Sequence, residues 1–119
     1  MRPAVFEQII NGGWDRLDYG PFRPGVTIHR LWQEPDTGAE WAVLKYQPGA
    51  SVPRHRHVGI ETILVLDGNQ SDDHGTYSTG DMICNAPGSV HSVWSEPGCV
   101  VLIFWGLPVE LLDDLPCCP

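Results

Sequence analysis

The sequence predicts an all-β fold: a single-domain, mostly antiparallel barrel or jelly roll. Three observations predict it. Short apolar runs rich in β-branched and aromatic residues recur along most of the chain. Turn formers separate them, with 13 Gly and 11 Pro exceeding average usage in 119 residues. No long helical pattern, heptad or internal repeat interrupts the series. The length suits one domain, and 42% hydrophobic against 18% charged residues is an ordinary globular balance, large enough for a real core.

In chain order, residues 1–25 read as irregular. Residues 5–10 suit one helical turn or an edge strand, ended by Asn11-Gly12-Gly13, and Pro21 with Pro24-Gly25 marks a loop. Strands are expected at 26–32 and 41–47, joined by the turn at 34–38 and stopped by Pro48-Gly49. A strand at 61–66 is closed by Asp67-Gly68, a hairpin signal, before a polar, turn-rich stretch at 69–75. Strands at 76–78, 82–85, 91–94 and 100–105 follow, separated by 79–81, 86–88 and 96–98. Residues 109–112 suit a helical turn or an extended tail. The expected organisation is an N-terminal segment at 1–21, the barrel at 22–110 and a tail at 111–119.

The formal net charge is -8 and the pI about 4.8, which repels phosphate and argues against nucleic-acid binding. Arg54 and Arg56 form a basic pair interleaved with His55 and His57, read as lining a site entrance or facing solvent. No apolar run suits a signal peptide, and the longest, 100–105, is too short to span a bilayer. The expectation is a cytoplasmic protein with no membrane partner. The four cysteines lack zinc-finger spacing. Cys84 and Cys99 read as small core residues, and Cys117 and Cys118 as part of a frayed tail rather than a redox or metal pair.

Candidate chemistry concentrates at 49–61. In an extended chain alternate side chains share a face, so His55 and His57 point the same way. Gly59 lets the chain bend, and Glu61 returns a carboxylate to the same point from the next strand. His91, after a Pro-Gly turn and before an apolar strand, supplies a fourth group. Two or three imidazoles with one carboxylate suit a divalent first-row metal. A lone histidine is usually structural, but the combined set is not. His29 reads as a partly buried polar residue and His74 as part of a solvated turn.

At these residues the chain resembles the cupin superfamily. Gly49, His55, His57, Glu61 and Gly68 fit its first motif without a gap, and Gly80, Gly88 and His91 fit its second. Ala86 stands where that motif has proline, and Ser95 where it has asparagine. More narrowly, residues 22–110 are similar to the ChrR-type cupin group, through 53–61, 65–68, 72–77, 87–91 and 96–99. The resemblance implies one divalent transition metal per chain, with Fe or Zn foremost and Mn or Ni as alternatives. It also implies a small-molecule ligand or substrate and a homodimer.

Two functions follow. One is a dioxygenase-type enzyme acting on a small carbonyl compound such as a diketone or aromatic ketone. The other is a non-catalytic zinc-binding sensor or regulatory module, like the cupin domain of ChrR-type anti-sigma factors. The anti-sigma factors' N-terminal helical zinc domain has no counterpart in residues 1–25. Pocket candidates are Tyr46, Trp94 and Trp105, with Arg54 or Arg56 as anion anchors. Strand aromatics also serve as core.

Overall fold

The computed structural model describes residues 1–112; the readings of Cys117 and Cys118 lie outside the described residues. After a 3-10 turn at Gly13–Arg16 come ten strands: β1 (Gly20–Arg23), β2 (Val26–Gln33), β3 (Glu40–Tyr46), β4 (Ala50–Arg56), β5 (Glu61–Asp72), β6 (Gly75–Ser78), β7 (Met82–Asn85), β8 (Val90–Ser95), β9 (Cys99–Trp105) and β10 (Glu110–Leu111). They form a curled, antiparallel half-barrel in the order β1-β2-β3-β9-β5-β8-β4-β10, with β6 and β7 also paired to β5. No helix among the described residues is long and apolar enough to cross a membrane.

Alternation sets the core. Val26 and Ile28 of β2, Ala42 and Leu44 of β3, Ile63 and Val65 of β5, and Val101 and Ile103 of β9 point inward and are buried. β3 and β9 are covered on both faces. Val43 and Val100 pack outward against Ile9, Trp14, Leu17 and Tyr19 of the N-terminal segment. That segment therefore closes over a sheet face, and residues 5–10 form neither a strand nor a helix.

Three sequence readings need correction. Pro21 lies within β1, not a loop, because Pro24 and a left-handed Gly25 (φ 75°) turn the chain tightly enough to pair β1 with β2. Asp67-Gly68 does not end a hairpin. β5 runs on to Asp72, and a bulge at Leu66 and Asp67, just before the left-handed Gly68, shifts the register to β9 between Val65 and Asp67. The hairpin turn falls at residues 73–74 instead, where His74 is exposed. Of the two alternatives for residues 109–112, the extended one holds at 110–111, which pair with β4. Cys84 is exposed, whereas Cys99 is in the core.

The bulge has a structural task. Up to Gly68, β5 pairs with β7 and β9; from Asn69 on, with β6 and β8. One strand thus belongs to both walls and brings Glu61 and Asp72, from its two ends, to the same interior.

Candidate metal centre

His55 on β4 lies directly opposite His91 on β8. Between Val52 and His55 the β4 register shifts by one residue at Pro53 and Arg54, so both Val52 and His55 face inward although three positions apart. His57 follows the strand and is pinned by the 86–89 turn: its N–H donates to Ser89 O (2.9 Å) and its carbonyl accepts from Gly88 N (2.7 Å). Glu61 begins β5, flanked by Trp105 of β9 and Asn85 of β7 in register. All four side chains are buried, and one ligand atom from each lies within 4.8 Å of the others.

Hydrogen bonds fix which nitrogen of each ring carries the proton. His55 Nδ1 donates to the carbonyl of Pro53 (2.8 Å), which can only accept. His91 Nδ1 donates to Asp72 Oδ2 (3.1 Å). Ser89 Oγ gives its own proton to Ala86 O (2.6 Å), so it accepts from His57 Nδ1 (2.9 Å). Each Nε2 is left as a lone pair aimed at a common point. Burial holds the His55 pKa below its ordinary value, which favours this neutral form.

Trp105 Nε1 donates to Glu61 Oε2 (2.8 Å) and Asn85 Nδ2 to Oε1 (3.1 Å). Burial pushes the Glu61 carboxyl up, but wherever the imidazoles carry a second proton, His57 foremost, they pull it below the usual range. For Asp72, burial also raises the pKa. Donation from His74 N, Tyr77 Oη and His91 outweighs it, and the carboxyl is held below its ordinary value.

Atoms that only accept now face one another. His55 Nε2 and His91 Nε2 are 3.0 Å apart. His57 Nε2 is 3.0 Å from Glu61 Oε1, is buried and has no hydrogen-bond partner. Lone pairs at such range repel unless a cation lies between them. Nitrogen and oxygen donors of this kind match a divalent transition metal. The three histidines and Glu61 fit such an ion.

Glu61 and His55 also line a cavity of about 30 Å³ walled by Val52, Ile63, Val93 and Ile103. Tyr46 and Trp105 line it too; Gln70 Nε2 approaches Tyr46 Oη at 3.4 Å, and burial pushes the Tyr46 phenol far above its usual range. Trp94 is placed otherwise. On β8 it alternates with the inward His91, Val93 and Ser95 and stands on the outer face. Arg54 and Arg56 likewise alternate outward and are exposed, with Arg56 Nη1 2.8 Å from Glu110.

A family model of the ChrR cupin-like domain matches residues 10–107. The chain belongs to that family. Solved cupin structures share the fold of this ChrR cupin-like chain. An acetylacetone dioxygenase from Acinetobacter johnsonii aligns with a TM-score of 0.75 at 20% identity, over 81% of this chain and 72% of its own. A putative acetylacetone dioxygenase from Methylibium petroleiphilum aligns at 0.78 and 17%, over 96% and 86%. The Rhodobacter sphaeroides complex of SigE with the anti-sigma ChrR aligns at 0.66 and 25%, over 75% of this chain but 48% of the matched chain. No curated protein matches the chain.

The sequence reading missed Asp72, Asn85 and Ser89. Asp72 sits in a polar run that looks like a solvated turn, and only the length of β5 carries it inside. Ser89 had a legible signal, being two residues before His91 in the turn that also holds His57.

Proposed function

We propose that this chain is a mononuclear metal-dependent enzyme of the dioxygenase type, acting on a small carbonyl compound such as a diketone or aromatic ketone. The observation that carries the reading is that Glu61 and His55 line a cavity of about 30 Å³. The likeness to acetylacetone dioxygenase structures supports it.

His55, His57, Glu61 and His91 would hold the ion, and ferrous iron there would supply one-electron chemistry and Lewis acidity toward a carbonyl oxygen. The residues around it act by placement. Trp105 and Asn85 fix the Glu61 carboxylate, and Asp72, Pro53 and Ser89 fix the three rings. Val52, Ile63, Val93 and Ile103 keep bulk water away, and Tyr46 retains its proton at neutral pH beside the cavity.

A second reading, a zinc-binding sensor, is favoured by the four protein ligands, since closed four-ligand zinc sites are usually structural. The test is elemental analysis of protein purified rapidly without added metal or chelator, beside the His57→Ala variant. The expected result is about one iron per chain, lost in the variant, with oxygen uptake on acetylacetone. Zinc at that stoichiometry with no oxygen uptake would support the sensor. Full metal occupancy in His57→Ala would place the ion elsewhere.

A further inference from the structure

Arg23 stands where two cavities meet. The inner one beside Glu61 holds about 30 Å³, and a cleft of about 270 Å³ lies outside it. Both are lined by Phe22, Arg23, Trp105 and Val109, so Arg23 marks the passage between them. Its Nε is buried without a hydrogen-bond partner. The neighbouring cations are engaged: Arg30 with Glu40 and Arg56 with Glu110. Among the described residues no carboxylate lies within ion-pair distance of Arg23. Its guanidinium carbon is 4.9 Å from the Phe22 ring centre, a cation–π contact that steadies the planar group without using its N–H donors.

A buried guanidinium N–H without an acceptor costs free energy, and a ligand that brings an acceptor removes that cost. Among the described residues, Arg23 is also the one cationic side chain lining the inner cavity, in a protein of net charge -8. The general field therefore does not draw anions there; a local fork does, and arginine's geometry matches a carboxylate. The inner cavity is too small for more than a few atoms, so a ligand reaching the ion keeps most of its bulk in the cleft.

We infer that Arg23 is a specificity-determining residue that holds the carboxylate of a small keto acid, whose carbonyl end enters the cavity toward Glu61 and His55. The inference rests on the reading of that cavity as the substrate site, and adds to it a preference for anionic keto acids over neutral ketones.

The test is calorimetric titration of the zinc-loaded full chain, which does no redox chemistry, with acetoacetate and with its neutral methyl ester. Wild type should bind acetoacetate at least about tenfold more tightly than the ester, as expected of one charge-assisted contact. Arg23→Met should remove that preference while keeping one zinc per chain and the ester affinity. Arg23→Lys should restore part of it. Equal binding of both ligands by wild type, or a preference kept by Arg23→Met, overturns the Arg23 inference and leaves the cavity reading standing. Zinc bound but neither ligand bound overturns both. The wild-type comparison decides even where Arg23→Met fails to fold.

Discussion

Each imidazole of the centre is held by a different acceptor: a backbone carbonyl for His55, a hydroxyl for His57 and a carboxylate for His91. Only the carboxylate adds charge, so Asp72 should matter most to the affinity of the site. Its Oδ1 already accepts from His74 N, Gly75 N and Tyr77 Oη, leaving Oδ2 for His91. An amide offers one acceptor oxygen and cannot serve both sides. Asp72→Asn should therefore weaken metal binding about 10- to 100-fold, measured by competition with a chromophoric chelator. An affinity unchanged in that variant would mean that Asp72 does not orient His91. The convergence of the four candidate residues was legible in the sequence because His55 and His57 obey the two-residue period of a strand, and Glu61 follows a glycine that allows the chain to bend. Asp72 and Arg23 were not, because their chemistry depends on strands that only the finished topology brings beside the ligands. The same period misled where it was not applied: it turns Trp94, Arg54 and Arg56 outward for the reason that it turns His91 and His55 in.

Among the elements, β5 sets the geometry. Its bulge lets one strand serve two walls, and Gly68 makes it fit. Gly68 has φ 73°, and a Cβ there would collide with the carbonyl oxygen of Gly98. Gly68→Ala should thus destabilise the fold by more than about 1 kcal/mol, through left-handed strain and the clash. Urea unfolding would show the loss as a lower midpoint; a midpoint equal to wild type would mean that the two backbones can separate freely. The sequence marked Asp67-Gly68 as a special conformation but not its kind, since a left-handed glycine suits a hairpin turn and a bulge alike. The strands rich in apolar, aromatic and β-branched residues, β2, β3 and β9, were placed within a residue or so. β1 was missed and β10 left between two alternatives because both are short edge strands, and pairing rather than composition makes them strands.

Across the whole molecule, the centre ties together walls that are otherwise joined through β5. Protons compete with the ion for the same Nε2 lone pairs, so affinity should fall as pH drops. Metal should leave as pH passes through about 6, close to where imidazole titrates. Dialysis at stepped pH followed by elemental analysis would test this, and retention to pH 4 would point to other ligands. The metal-free protein has its own dependence. His55 titrates below its unfolded value, so its contribution is full above about 6.5 and is lost as pH falls from there toward the folded pKa. Asp72, also depressed, adds a second loss beginning near pH 4. Thermal melts of the metal-free chain should therefore decline in two stages on acidification.

The direct opposition of His55 and His91 also bears on how the chain is made. His55, His57 and Glu61 lie within seven residues of one another, whereas His91 is 36 positions beyond His55. A nascent chain exposes the first three long before the fourth is synthesised. On the proposed reading, three ligands can capture an ion while β8 is still missing, and the ion then shortens the search by which β8 finds β4. Some affinity for the unfolded chain follows, which reduces the stabilisation the ion gives to the finished barrel. Pairings this distant make folding intrinsically slow, and a cation already seated would act as a kinetic guide before it acts as a cofactor.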